Sequence, residues 1–77
     1  MLTPLMLRHL WDLIESTQTS ILLQFEDSAL VQLLFARFVD QQPIDDQAAK
    51  TLNSYIKARL PLIRDTAEGR AIQQGTF

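Results

Sequence analysis

A chain of 77 residues with 47% apolar side chains and a net charge of −2 has the composition of one small globular domain. With no cysteine, it has neither disulfides nor thiol-ligated metals to stabilise it, and it suits a reducing compartment. Two glycines and three prolines leave few turns, which favours a few long helices, and a pI near 5.1 argues against nonspecific binding to phosphate backbones.

The first helix is predicted from Pro4 to about residue 24. Thr3 can cap it, Pro4 sits at the first helical position where its missing N–H is harmless, and Leu2 and Leu7 form a hydrophobic staple. Leu7, Leu10, Trp11, Ile14, Ile21, Leu22 and Phe25 follow helical spacing. The weak point is STQTS at 16–20, whose β-branched and capping residues are poor helix formers. The alternative is therefore a helix to about Glu15, a turn, and an extended segment at 21–25.

A second helix is expected at 28–41, opened by Asp27 or Ser28 and closed by Pro43, which disfavours helical geometry at Gln42. Its core, SALVQLLFARFV at 28–39, is apolar on nearly every side, with Ser28, Gln32 and Arg37 as the only polar residues. Most surface helices have a polar back. A helix without one calls for burial all round, and helices 1 and 3 of so short a chain cover at most two of its flanks. The expectation is a homodimeric helical bundle, with Val31, Leu34, Phe35 and Phe38 as the seam.

The third helix is predicted at 46–68, with acidic Asp45 and Asp46 at its positive end. Ala48, Leu52, Tyr55, Ile56, Arg59, Leu60, Ile63 and Ala67 keep one face in register across Pro61, so a kink is expected there rather than a stop. Gly69 is expected to end the helix and to leave 70–77 as a flexible tail beyond a single domain at 1–69. The whole reads as an all-α, three-helix domain.

Charge is divided unevenly along the chain. Residues 1–47 hold Arg8 and Arg37 against Asp12, Glu15, Glu26, Asp27, Asp40, Asp45 and Asp46, a balance of −5. Residues 48–77 hold five basic residues against Asp65 and Glu68, a balance of +3. Neutralisation between antiparallel helices, or between two chains, is the ordinary explanation. The alternative is a basic surface from Lys50, Lys57 and Arg64, spaced by sevens along one helical face, for nucleic acid.

Catalytic and metal chemistry find little support. His9, the only histidine, stands with Asp12 and Ser16 along one face of the first helix, but His9 and Ser16 sit about 10 Å apart along the axis. His9 with Asp12, or Asp45 with Asp46, supplies two ligands where zinc needs three or four. The two glycines, Gly69 and Gly75, cannot build a phosphate-cradling loop. Trp11, Phe25, Phe35, Phe38 and Tyr55 read as core or interface anchors, with a small-molecule pocket the less favoured alternative. The N-terminal stretch lacks the basic region of a signal peptide, and no uncharged run approaches a bilayer span.

The phrases LWDLIESTQTSILLQFEDSALVQLL and SYIKARLPLIRDTAEGR resemble a family of short, uncharacterised cyanobacterial proteins. The resemblance covers about residues 10–70. It implies a bacterial, cytoplasmic origin and carries over no activity or functional residue. The combined expectation is a non-enzymatic interaction or oligomerisation module, or a small regulator, without a cofactor. A nucleic-acid-associated regulator is the alternative.

Overall fold

A computed structural model describes residues 2–74 as four helices and the connections between them. They are α1 (Pro4–Ser16), α2 (Thr19–Gln24), α3 (Asp27–Gln41) and α4 (Asp46–Gln74). The chain is all-α, as expected. None of the described helices is long and apolar enough to cross a membrane.

The expected single helix over 4–24 is two helices. Thr3 caps α1 as predicted, its Oγ1 accepting from the Met6 backbone N–H at 3.1 Å. The break falls inside STQTS. Thr17 leaves the helix with φ −80° and ψ 140°, and Gln18 stays extended at ψ 138°. The hydroxyls of Ser16 and Thr17 both donate to the Leu13 carbonyl, at 2.9 and 2.8 Å. Short polar side chains thus bond to the backbone of α1's last turn, the competition that makes them poor helix formers. Yet 21–24 are helical, so the extended alternative for 21–25 fails as well; Phe25, the C-cap residue of α2, is extended, at φ −68° and ψ 140°.

Asp45 opens α4, its Oδ1 accepting from the Ala48 N–H at 2.8 Å. The helix carries Pro61 on its exposed side and runs through Gly69 to Gln74. Gly69 is therefore not a C-terminal stop, and the expected tail at 70–77 is helical as far as Gln74. Residues 75–77 lie outside the described chain. At about 1.5 Å per residue, α4 accounts for nearly all of the molecule's 45 Å long axis.

Helix α4 is the spine. Leu52, Ile56, Leu60, Ile63 and Ala67 are all buried, so the predicted register survives the proline. α2 and α3 pack against this helix, and α1 packs against α3. Met6, Leu10, Leu13 and Ile14 from α1, Leu22 from α2, and Leu30, Val31, Leu34 and Phe38 from α3 complete one core.

This arrangement revises the reading of α3. The helix is not buried all round: Leu30, Val31, Leu34 and Phe38 face inward, while Gln32, Ala36 and Arg37 are exposed and Ala29, Leu33 and Val39 are half-buried. The outward side carries two alanines, whose small area costs little in water. Of the expected seam, Val31, Leu34 and Phe38 belong to the chain's own core, with Leu34 and Phe38 0% exposed. They are not available to a second chain. Only Phe35 remains half-buried at the surface.

Candidate contact surface

The residues proposed for a basic face do not act together. Lys50 and Lys57 are exposed, but Arg64 is turned inward as a structural clamp. Its Nη1 donates to the carbonyls of Leu22 at 2.8 Å and Leu23 at 3.4 Å. Its Nη2 donates to the Phe25 carbonyl and to Asp27 Oδ1, both at 2.8 Å. A helix leaves its last carbonyls without partners and its C-terminal end partly negative. Arg64 meets both needs at the end of α2 and ties that end to the start of α3.

Arg70 does the same for α1. Its Nη1 donates to the Glu15 carbonyl at 2.9 Å, and its Nη2 reaches the Thr17 carbonyl at 3.4 Å, while its buried Nε has no partner. Two of the five basic residues of the positive C-terminal half, Arg64 and Arg70, are thus used on helix-end carbonyls. Arg64 with Asp27 is the one ion pair among the described residues. These roles were missed in the sequence. The available signal was STQTS, since a break there creates helix ends that require donors.

Thr17 is the buried polar junction, 2% exposed, its hydroxyl donating to Leu13 and accepting from Arg37 Nη1 at 3.4 Å. Among the aromatics, Trp11 Nε1 donates to the Tyr55 hydroxyl at 3.2 Å, and the Arg59 guanidinium lies 5.2 Å from the Tyr55 ring centre. The Trp11 bond ties α1 to α4 from the outside, while the Arg59 contact stays within α4.

His9, Asp12 and Ser16 do not converge. The His9 ring meets Phe38 edge-on, with centroids 5.0 Å apart and its Nε2 buried without a partner. Ser16 bonds Leu13 instead. Among the described residues no group of three or more His, Cys, Asp or Glu side chains is placed to hold a metal.

A groove of about 340 Å³ lies between α3 and the first half of α4, lined by Phe35, Asp46, Ala49, Lys50 and Asn53. It joins the one seam residue left at the surface to one of the two lysines still exposed. Phe35 and Ala49 form its apolar part, and Asp46 and Lys50 stand four residues apart on α4. Neither charge has an ion-pair or hydrogen-bond partner on its side chain among the described residues.

Comparison with protein-family models, curated proteins and solved structures returns no similar protein.

Proposed function

We propose that the chain is a non-enzymatic protein–protein interaction module, an oligomerisation element or small regulator, whose contact surface is the α3–α4 groove. The observation that supports this reading is Phe35. An aromatic ring left half-buried beside two charges without partners is the composition of an interface anchor and its rim. Of the other large rings, Phe38 lies in the core, Trp11 and Tyr55 bond each other, and Phe25, 41% exposed, stands at the turn between α2 and α3, outside the groove. The lack of cysteine suits a reducing compartment such as the cytoplasm.

The test is affinity capture from cells that also express an untagged copy, using the full chain, Phe35→Glu and Leu5→Glu. Leu5 is 77% exposed, lies on α1 and does not line the groove, so its variant controls for added surface charge. A protein retained by wild type and Leu5→Glu, and bound at least about tenfold more weakly by folded Phe35→Glu when both are purified, supports the reading. Identical capture by all three chains overturns it.

A further inference from the structure

We infer that the groove's partner is a second copy of this chain, docked about a two-fold axis that brings Phe35 against its counterpart and Asp46 against Lys50 of the other copy. This inference rests on the groove being a protein-binding surface. It goes further by naming the occupant.

Charge complementarity singles out a second copy as the occupant. In a two-fold interface the same patch is used twice, so a residue that contacts a second residue is contacted by it in return. A patch is complementary to itself only if each charge on it has its opposite on the same patch. Asp46 and Lys50 meet that condition, flanking an apolar element made by Phe35 and Ala49. They sit at the spacing of an intrahelical pair, yet are not within ion-pair distance of each other or of any described side chain. An acidic partner or a phosphate backbone would be repelled by Asp46, and a basic partner would be repelled by Lys50. The second copy satisfies both charges at once.

The neighbouring surface of α3 allows the approach. Gln32 and Val39 stand three residues before and four after Phe35, on the same side of the helix, with Ala36 next to them. None of these side chains is long enough to hold a second backbone far off. Offset or edge-on packing of the two Phe35 rings supplies the apolar contact. The patch is narrow compared with the roughly 1,200–2,000 Å² of a stable interface, so the dimer is expected at about 10–500 μM rather than at nanomolar concentrations.

The test is sedimentation equilibrium of the full chain as wild type, Asp46→Lys, Lys50→Asp, the double exchange D46K/K50D, and an equimolar mixture of the two single variants. Circular dichroism checks that each is folded. Each single change places like charges opposite one another twice per dimer and is expected to weaken association about tenfold or more. The double exchange restores opposite charges and with them wild-type association. In the mixture, one copy carries two lysines and the other two aspartates, so a heterodimer forms at the wild-type level.

A wild-type chain that remains monomeric at about 1 mM overturns the inference, as does a double exchange or mixture no tighter than the single variants. If either single variant fails to fold, a salt series on wild type takes its place, and a dimer equally strong at 20 mM and at about 500 mM salt overturns it. The capture experiment with Phe35→Glu decides the broader interaction reading separately. Its failure and the failure of the second-copy assignment are therefore distinguishable.

Discussion

Replacing Arg64 by methionine should unfasten α2. Methionine keeps most of the aliphatic stem, so the loss is mainly that of the guanidinium. Two of its bonds are short and directed at helix-end carbonyls, Leu22 and Phe25, each at 2.8 Å. A hydrogen bond from a charged donor contributes about 1.5–3 kcal/mol. The Arg64 side chain is 23% exposed, which lowers each bond to about 1–1.5 kcal/mol, and the 3.4 Å contact with Leu23 adds little. The bond to Asp27 is to a carboxylate 78% exposed, where ion pairs contribute about 0.5 kcal/mol or less. The sum is about 2–3 kcal/mol, against a total stability on the order of 4–12 kcal/mol for a chain of this length. With a urea m-value of about 1 kcal/mol/M, the unfolding midpoint should fall by about 2 M. Asp27→Asn is the internal control and should cost no more than about 0.5 kcal/mol. An Arg64→Met midpoint within about 0.5 M of wild type would refute the clamp. An Asp27→Asn loss as large as that of Arg64→Met would move the effect from the carbonyls to the ion pair.

Gly69→Ala should stabilise the protein by about 0.5–1 kcal/mol, because Gly69 is inside α4 and an added Cβ meets nothing within 4 Å. Urea unfolding measures it, and a loss of stability would mean that this turn is not helical in solution. Phe38→Ala should cost about 3–5 kcal/mol, since the ring is 0% exposed, whereas Leu5→Ala should stay within about 0.5 kcal/mol. Similar losses at the two positions in a denaturation series would contradict the inward and outward faces assigned to α3 and α1.

Local signals read well wherever the physics is local. Thr3 and Asp45 bond the N–H groups of their own helices, and neither bond depends on what packs nearby. The register Leu52, Ile56, Leu60, Ile63, Ala67 across Pro61 was legible because helical spacing alone puts those residues on one side. The break at Thr17 was visible as poor propensity, but propensity could not decide it. A buried hydroxyl bonded to Leu13 and an arginine 53 positions downstream contribute to that choice. Gly69 shows the converse: a residue typical of helix ends sits inside α4, next to Arg70, which is bonded to the end of α1.

The candidate site was less legible. The apolar content of 28–39 correctly marked a helix with much to bury, but composition cannot say which side faces the rest of the chain. Val31, Leu34 and Phe38 were consumed by the core, and Phe35, one residue from Leu34, was left at the groove. A rotation of about 100° per residue separates those two outcomes. Arg64 and Lys50 looked equivalent as exposed cations on a helical stripe. Only the position of α2 against α4 turned one into a clamp and left the other on the rim.

By itself, then, the sequence determined the all-α class, the Thr3 and Asp45 caps and the inward register of α4, because those follow from bonds and spacings within a few residues. Which flank of α3 stays open, which arginines are used up and which charges keep no partner were decided by tertiary structure. Those outcomes depend on donors and acceptors brought together from 37 or more positions apart.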